Sequence, residues 1–386
     1  MDGVESAEVL PFSEDEYADR LARVRGRMAD ADVNAVLVFR PSNVEYLCGY
    51  HSAETLPQPL LVTDSDTFLY VPDFEIGRAL ASSCAPNVRY FRYASAQAGL
   101  ELIAKHAAEE LPRRARIAVE LGHTATPPHL VDLLRGRTVE VVDGDYLVER
   151  TRLVLSRAEI RCVERAAIGT QQGVDAAVRA ARQPGATDSS VAAAISAALL
   201  ADANSVSAWG PTIATGRRAG IPHATWHNVP LGPGSTFLEF SGAHHRYHAP
   251  VMRTLCHGRP SVLLQRLTEL ATAALATVLD TAKAGVSCAD VARAATSAIG
   301  PLPDGVVFHQ LFGYPVGLAH RPHWMDGAPF AITVDNPAPL EEGMVFHVPA
   351  SFRAFGQAGV GLSQTFVVEA AGTRTLTHGP AELIPL

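Results

Sequence analysis

Histidines are concentrated in the carboxyl-terminal half of this sequence. The chain has 386 residues and 15 histidines, and residues 223–347 contain most of these: His223, His227, His244, His245, His248, His257, His309, His320, His323 and His347. Imidazole titrates near neutral pH, so it serves both as a general acid or base and as a metal ligand. A single histidine is usually a surface or core residue. The concentration as a whole indicates a site for metal binding or proton transfer.

The spacing of these histidines does not favour a metal site. The sequence contains no HExxH pattern, and no acidic residue lies among His244, His245 and His248 to complete a set of ligands. If these residues form one strand, residues two apart share a face. We then expect His244, Arg246 and His248 on one side and His245 and Tyr247 on the other, so one pocket cannot take them all.

Two other kinds of reactive motif are absent. The sequence has no GxSxG pattern, which excludes the usual nucleophile elbow of serine hydrolases. Residues 313–317, GYPVG, form a glycine-bounded turn, but they lack the GK[ST] of a phosphate-binding loop and the three-glycine dinucleotide fingerprint. This segment is either a structural turn or a place where backbone approaches a ligand.

Composition excludes some classes of partner and indicates a location. The net charge is −8 and Lys and Arg occur in no run longer than a pair, so a nucleic-acid surface is not expected. The five cysteines are far apart, which is typical of reduced intracellular thiols. The amino terminus has no signal-peptide pattern, and we identify no apolar run near the roughly 20 residues that a bilayer requires. We therefore expect a cytoplasmic protein without a membrane partner.

The first part of the chain alternates between helical and strand patterns. Ser13 precedes an amphipathic stretch over residues 14–28, which predicts a capped helix. Predicted strands follow at residues 35–39, 60–63, 67–71 and 116–120, with a helix over 99–110. Strands that alternate with helices indicate an α/β domain, which we assign to residues 1–155.

The remaining residues, 156–386, mix long helices with separate strands. The patterns predict helices over 158–182, 189–204 and 262–284, and strands over 236–240, 344–348 and 364–369. This arrangement is typical of an α+β domain. We therefore predict two domains with a boundary near residue 155.

Several stretches resemble the pita-bread family of creatinase, prolidase, aminopeptidase P and methionine aminopeptidase. The resemblance is carried by residues 220–254, 312–317 and 340–366, while residues 16–50 are similar to the first domain of that family and residues 147–167 to its linker. It implies a creatinase-like amino-terminal α/β domain followed by an α+β pita-bread catalytic domain. It also implies a homodimer in which the first domain of one subunit closes the pocket of the other.

The metal ligands of that family are changed here. In its metal-dependent members Asp, Asp, His, Glu and Glu hold two metal ions, and the resemblance places these ligands at Glu239, Pro250, Tyr314, Pro349 and Ser363. A hard dinuclear site needs several anionic oxygens, and one carboxylate does not supply them. We therefore expect no metal cofactor and no peptidase activity of the prolidase kind.

Creatinase, a metal-free member, offers a different mechanism. Its catalytic histidine aligns with His223, which we predict to be a general acid and base. Two substrate-binding carboxylates of creatinase fall on Met252 and Pro349, so creatine is not the expected substrate. Residues 238–254 instead look like the ectoine hydrolase branch, whose members open a cyclic amidine.

Glu239 is the one carboxylate that the resemblance leaves at the ligand positions. We predict that it either orients a histidine or pairs with a cationic nitrogen of the substrate. The alternative is a strand-end salt bridge, with Arg253 as the expected partner.

The resemblance and the residue types suggest further substrate-binding side chains. Tyr314 could donate a hydrogen bond to a developing oxyanion, or it could fill the space that a metal ligand vacates. The other predicted binding residues are His248, His320 and His309, with a surface position as the alternative, and Tyr50 and His51 of a neighbouring subunit, with a plain loop as the alternative.

The leading interpretation is therefore a metal-independent hydrolase acting on a non-peptide C–N bond of a small cyclic amidine or amide-like compound. Two alternatives remain open. The same pocket could serve a metal-free lyase, isomerase or cyclase, whose product would contain no added water. The chain could also be a non-catalytic binding module, like the metal-free pita-bread domains in chromatin and ribosome complexes.

Overall fold

The computed structural model describes residues 10–326 and 330–386. The chain divides into two compact units, Met1–Arg152 and Leu153–Leu386. The predicted boundary near residue 155 lies close to this division. Each unit has its own sheets and its own hydrophobic core.

The first unit is an α/β structure, as predicted. Its elements are α1 (Glu14–Asp30), β1 (Ala35–Val38), α2 (Pro41–Cys48), β2 (Leu60–Thr63), β3 (Thr67–Pro72), α3 (Ile76–Ser82), β4 (Asn87–Phe91), α4 (Ala96–Glu109), β5 (Arg116–Val119), α5 (Pro128–Arg135), β6 (Glu140–Asp143) and α6 (Glu149–Arg152). The predicted cap is present, because Ser13 Oγ accepts a hydrogen bond from Glu16 N at 3.3 Å.

One mixed sheet forms the centre of the first unit. Its strand order is β4-β3-β2-β1-β5-β6. The pairs β1–β2 and β2–β3 are antiparallel, whereas β1–β5, β5–β6 and β3–β4 are parallel. Every residue of β1 and β2 is buried. Strands that are covered on both faces explain why these segments are continuously apolar in sequence.

The second unit is α+β. Its elements are α7 (Arg157–Ala181), α8 (Asp188–Ala201), β7 (Thr212–Thr215), β8 (Gly234–His244), β9 (Tyr247–His257), α9 (Val262–Thr281), α10 (Cys288–Ile299), β10 (Val306–Val307), β11 (Tyr314–Pro315), β12 (Val345–Ala354), β13 (Ala358–Glu369), β14 (Gly372–Thr375) and β15 (Leu383–Pro385). Two sheets result, ordered β15-β9-β8-β7 and β10-β12-β13-β14, and β11 also pairs with β12.

Each sheet of the second unit carries a pair of helices. Helices α7 and α8 bury their apolar faces on β7, β8 and β9, and α9 and α10 do the same on β12 and β13. At Gly242 a Cβ atom would lie 2.3 Å from Ala166 O, so a side chain there would push α7 off the sheet. The helices therefore cover one face of each sheet and hold the strands in place.

Side chains join the two sheets along strands β9 and β13. Thr254 Oγ1 donates to Gly361 O at 3.1 Å and accepts from Gly361 N at 3.0 Å. Ser363 Oγ accepts from Met252 N at 2.5 Å. Thr365 Oγ1 donates to Pro250 O at 2.9 Å. These hydrogen bonds fix the register between β9 of one sheet and β13 of the other.

The segment 244–248 is a hairpin turn and not one strand, which corrects our prediction. Strand β8 ends at His244, and β9 begins at its partner Tyr247. His245 and Arg246 have φ values of 47° and 57°, the left-handed pair that a two-residue hairpin turn requires. His244, Arg246 and His248 therefore do not share one face of a strand.

Helix α9 corrects the prediction that no segment is long and apolar enough to span a bilayer. By length and hydropathy alone, this helix could cross a membrane. Its mean hydropathy over an 18-residue window is 1.4. The buried leucines Leu264, Leu267, Leu270 and Leu275 recur at helical spacing and pack in the core against α10, β12 and β13. The apolar face of this helix is thus covered within its own unit.

Candidate active site

Glu239 lies in the middle of a sheet and has an unsatisfied carboxyl group. On β8 it is paired with Thr212 of β7 and Met252 of β9, and only 4% of its surface is exposed. In the described part of the chain, no hydrogen-bond donor contacts its carboxyl oxygens. Burial raises its pKa to about 7, and the positive charge of Arg353 opposes this rise. Glu239 can therefore change its protonation state near neutral pH.

Arg353 of β12 is the charged neighbour of Glu239. Its guanidinium carbon lies 4.2 Å from the ring centroid of Phe237, which is two residues from Glu239 and so on the same face of β8. Its Nη1 donates to Ala219 O at 2.8 Å and to Ile221 O at 3.4 Å. Arg353 thus places a positive charge beside Glu239 and holds the segment that leads to His223.

Arg253, the partner that we expected for Glu239, has other contacts. Its Nη1 donates to Met252 O at 2.9 Å and to Ser363 O at 2.7 Å, and its Nη2 donates to His378 O at 3.1 Å. Through these hydrogen bonds the guanidinium joins β9 to β13 and to the segment around His378. Arg253 is thus a structural residue, and the cation beside Glu239 is Arg353.

Tyr314 is buried, as we expect if it fills the space of a lost metal ligand. A hydrogen bond also fixes the orientation of its hydroxyl group. Strand β11 places Tyr314 opposite His347 of β12. The hydroxyl oxygen accepts a hydrogen bond from Trp324 Nε1 at 2.9 Å. Burial and the nearby carboxyl of Glu239 raise the pKa of Tyr314. The phenol therefore stays neutral, and its hydroxyl proton has no acceptor in the described residues.

His223 lies on a turn at the edge of an open cleft. Its φ is 57°, a left-handed conformation, and its ring meets Trp209 edge to face at 5.7 Å. The cleft has a volume of about 740 Å³ and is lined by His223, His323, Trp209, Trp226 and one face of α8. In a single chain His223 is exposed. The predicted acid and base is therefore open to an incoming molecule.

Two further histidines near His223 are held as neutral hydrogen-bond donors. His309 Nδ1 accepts from Leu311 N, and His323 Nδ1 accepts from Met325 N, both at 3.1 Å. His309 is exposed, in agreement with the surface position considered for it, and His323 is half-buried. Partial desolvation lowers the pKa of both rings, Arg353 and His223 lower that of His309 further, and His223 lowers that of His323 further. In a neutral ring whose Nδ1 accepts, the proton is on Nε2. Both Nε2 atoms can therefore donate to a ligand.

His347 is a buried neighbour of Tyr314 that the sequence analysis did not select. Its Nδ1 lies 3.4 Å from Thr365 Oγ1, its Nε2 is enclosed without a partner, and its ring centroid is 5.3 Å from that of Tyr314. Burial lowers its pKa to about 3, so the ring is neutral. The available signal was its spacing, because His347 is two residues from Pro349 and shares its strand face. Sequence analysis also missed Arg353, His323 and Trp209.

His248 is held by backbone on both sides of its ring. It is fully buried, its Nε2 accepts from Ala208 N at 2.9 Å, and its Nδ1 lies 3.4 Å from Gly317 O. Both nitrogens are therefore used within the protein. This geometry corrects the predicted substrate-binding role to a structural one. Burial lowers the pKa of the His248 ring to about 4, and the nearby His320, which is half-buried, also lowers it.

Tyr50 and His51 belong to a cavity in the first unit. This cavity has a volume of about 330 Å³. The hydroxyl of Tyr50 donates to Glu75 Oε2 at 3.3 Å and also contacts Gln58, and His51 Nδ1 lies 3.8 Å from Glu45 Oε1. That these residues complete the pocket of a partner subunit stays a prediction.

The chain belongs to metallopeptidase family M24, a hydrolytic family. The profile of this family matches residues 161–370, and that of the creatinase/prolidase N-terminal domain matches residues 20–154. These matches confirm the resemblance and the two-part fold inferred from the sequence. The family relationship covers the second unit, where Glu239, Arg353 and the histidine cluster lie.

Proteins that carry different functional names are similar to this chain over almost its whole length. An uncharacterized hydrolase/peptidase, y4tM, from Sinorhizobium fredii is 29% identical over 97% of this chain and 99% of its own length. The ectoine hydrolase of Halomonas elongata is 26% identical over 97% and 98%. The crystal structure of a recombinant prolidase from Thermococcus sibiricus superposes with a TM-score of 0.84 at 18% identity, covering 96% of this chain and 99% of that one. The structural likeness shows the shared fold.

The residues that the resemblance places at the metal-ligand positions of the family do not fit a pair of metal ions. Pro250 and Pro349 have no side-chain donor, Ser363 Oγ accepts from Met252 N, and Tyr314 is a neutral phenol. Glu239 alone offers a carboxylate. Among residues 10–326 and 330–386, no group of three or more His, Cys, Asp or Glu side chains is placed to hold a metal ion. The chain therefore departs from its family in the chemistry of this donor set.

Proposed function

We propose that this protein is a hydrolase that adds water, without a metal ion, to a C–N bond of a small cyclic amidine or amide-like compound. The observation that carries the proposal is Glu239, a buried carboxyl that no donor among the described residues contacts and whose pKa is raised to about 7. Perturbed groups of this kind are typical of catalytic sites. The family is hydrolytic, and a relative similar over nearly all of the chain is named an ectoine hydrolase.

In the proposed mechanism, His223, Tyr314 and Glu239 divide the work of hydrolysis. Water attacks the amidine or amide carbon, and His223 accepts its proton. The C–N bond then breaks, and His223 returns the proton to the leaving nitrogen, so that one molecule of water is added in total. The O–H of Tyr314 donates to charge that develops on the attacked group. Glu239, as a carboxylate, pairs with the cationic nitrogen of the substrate.

A small substrate with its own positive charge suits this site better than a peptide. A peptide carbonyl is a poor electrophile, and the metallopeptidases of the family use metal ions to polarise it. An amidinium carbon is already activated by its charge. A carboxylate and a histidine are then sufficient for the proton transfers that hydrolysis needs.

The test is a mass-resolved screen of cyclic amidines, ureido acids and lactams with metal-stripped protein. We expect one compound to gain the mass of one water molecule. His223→Asn should lower its turnover by about 10²- to 10⁴-fold, the usual contribution of a general acid–base group. His227→Asn is the matched control, because His227 is an exposed histidine four residues away whose backbone N–H alone contacts Asp188.

Three outcomes would contradict the proposal. A product of unchanged mass would indicate an isomerase or cyclase, and two smaller products without added water would indicate a lyase. Full activity of the His223→Asn variant would remove His223 from the mechanism.

A further inference from the structure

The first unit contains a cavity beside the ends of two neighbouring parallel strands. Its volume is about 330 Å³, and it is lined by Phe39, which follows β1, by residues 124–128, which follow β5, and by most of the loop 50–58. The chain builds β2, β3 and β4 on one side of β1, and it places β5 and β6 on the other side. Open α/β sheets bind ligands outside the carboxyl ends of the strands at such a reversal. The cavity therefore lies where this topology favours a ligand.

The side chains that line the cavity extend from the core to the surface. Phe39, Val44 and Tyr50 are at most 5% exposed. Thr55 and Thr124, by contrast, are exposed. The volume lies at the lower end of the range for small-molecule sites. A small ligand can therefore enter from solvent and bury an apolar group against the three buried side chains.

Glu54 gives the cavity a negative charge. None of the described residues that line the cavity is Lys or Arg, and Glu54 is the one acidic residue among them. Its Oε1 accepts hydrogen bonds from Thr55 N at 2.6 Å and from Leu56 N at 3.2 Å. The hydrogen bond from Thr55 and then that from Leu56 lower the pKa of Glu54. Glu54 is thus a carboxylate at neutral pH, and its charge attracts a cation.

A second glutamate holds part of the same loop in place. Glu75 Oε2 accepts a hydrogen bond from Ser52 Oγ at 3.0 Å and one from the Tyr50 hydroxyl at 3.3 Å. Arg78 Nε lies 3.9 Å from the same oxygen, so the charge of Glu75 has its own partner. Two lining side chains are therefore ordered before a ligand binds, which lowers the entropic cost of binding.

Exposed aromatic rings lie beside Glu54. Glu54 raises the pKa of Tyr93, and the proximity of Tyr93 contributes to the lowered pKa of Glu54, so the two side chains are neighbours. The ring of Tyr93 meets that of Phe74 edge to face, with 6.3 Å between the centroids. Phe74 is 81% exposed and Tyr93 is 47% exposed. Aromatic faces attract organic cations, so these rings add to the attraction of the carboxylate.

We propose that this cavity binds a small organic cation with an apolar body, for example an arylalkylamine. The ammonium group contacts the carboxylate of Glu54, and the apolar body packs against Phe39, Val44 and Tyr50. All lining residues belong to the first unit, and none of them takes part in the proposed hydrolysis. The inference therefore goes beyond the proposed function and does not rest on it.

The experiment compares three probes that share a ring and differ in charge: benzylamine, benzyl alcohol and benzoate. Their dissociation constants for the full chain are measured by calorimetry at pH of about 7, where the amine is a cation and benzoate an anion. Benzylamine should bind about tenfold more tightly than benzyl alcohol, the scale of a contact with a charged group and an aromatic face. Benzoate should bind more weakly than either.

Two variants assign the binding to this cavity. Glu54→Gln keeps an oxygen for the N–H groups of Thr55 and Leu56 but removes the charge, so benzylamine should bind no more tightly than benzyl alcohol. Val44→Phe fills the buried end of the cavity and should weaken both probes about tenfold or more. If Val44→Phe does not fold, Glu54→Gln decides the question. Glu101→Gln, at an exposed position of α4 outside the cavity, is the matched control and should keep the native constants.

Three results would overturn the inference. The native protein could fail to bind benzylamine at millimolar concentrations or fail to prefer it to benzyl alcohol. The Glu54→Gln variant could keep the preference, which would place the cation elsewhere. Finally, a benzylamine affinity that falls as ultracentrifugation shows more dimer would assign the cavity to a second copy of the chain.

Discussion

Each of the two units of this protein contains a buried glutamate whose pKa is raised to about 7, but the surroundings of the two residues differ. Glu120 in the first unit is 1% exposed and Glu239 in the second is 4% exposed. Desolvation raises the pKa of both carboxyl groups to about 7. For Glu120 the neighbouring charge of Glu149 also raises the pKa, whereas for Glu239 the charge of Arg353 lowers it. Burial and pKa alone therefore do not separate the two residues.

Hydrogen bonds separate them. Glu120 Oε2 accepts from Phe39 N at 2.6 Å and from Arg40 N at 2.7 Å, and its Oε1 accepts from Asn43 Nδ2 at 2.5 Å. These bonds join the end of β5 to the start of α2. Glu239 has no such donors in the described residues. A satisfied buried carboxyl stabilises the fold, while an unsatisfied one is available for a ligand.

The largest expected difference between the two is in activity. Glu239→Gln keeps the shape but removes the charge, and turnover of the substrate found by the screen should fall by about 10²- to 10³-fold, the usual cost of removing one electrostatic contact to the reacting group. Glu120→Gln should leave turnover of the folded protein within a few-fold of native. Steady-state kinetics on both variants measure this contrast, which fails if the two lose activity equally.

The next effect is on stability and depends on pH. The folded state keeps the proton of Glu239 up to a pKa of about 7, whereas the unfolded chain releases it near 4.5. The native protein therefore loses stability as pH rises through this window, by about 3 kcal/mol in total. Glu239→Gln lacks this loss, so its urea midpoint relative to native should rise between pH of about 5 and about 8. A difference that does not vary with pH would show that Glu239 is not held protonated.

A somewhat smaller effect is expected at Glu120. The side-chain amide of Glu120→Gln has one acceptor oxygen in place of two. Either the backbone N–H groups of Phe39 and Arg40 or the side-chain amide of Asn43 would then face the new NH₂ group and lose their acceptor. An unsatisfied buried donor costs about 1–3 kcal/mol, and the urea midpoint should fall accordingly. Glu140→Gln, at an exposed position of β6, is the control and should change little. A Glu120→Gln variant as stable as native would remove the structural role of this residue.

The smallest effect is expected from metal removal. Because Glu239 alone offers a carboxylate at the ligand positions, prolonged dialysis against a chelator should change neither the melting temperature nor the turnover. Elemental analysis before and after dialysis provides the reference. Two tightly held metal ions per chain, with a lower melting temperature after their removal, would contradict both the donor-set argument and the proposed mechanism.

Most elements of the fold could be predicted from local patterns. The apolar segments at β1, β2 and β5 have no alternative to burial, and Ser13 caps the helix that it precedes. The hairpin at 245–246 could not be predicted in this way, because His-Arg has no Asn-Gly type of turn signature. The left-handed conformation there is imposed by the pairing of β8 with β9.

The site was predicted only in part, for a similar reason. His223, Glu239 and Tyr314 could be proposed as site residues from the sequence because they occupy recognisable positions in a family pattern. Arg353 and His323 could not, since they are brought close to Glu239 and His223 only by the tertiary fold, across at least a hundred residues of sequence. His248 shows the converse error, because a histidine among histidines can serve only the backbone around it.

The two buried prolines have a consequence for evolution and for engineering. Pro250 and Pro349 lie in strands at positions to which the family resemblance assigns metal ligands, and Ser363 opposite Pro349 contacts the backbone of Met252. Replacing any one of them by an acidic residue would add a buried negative charge before enough ligands existed to hold a cation. Each single step back is therefore unfavourable. Several of these positions would therefore have to change together, in evolution as in engineering, before the donor set could hold a cation.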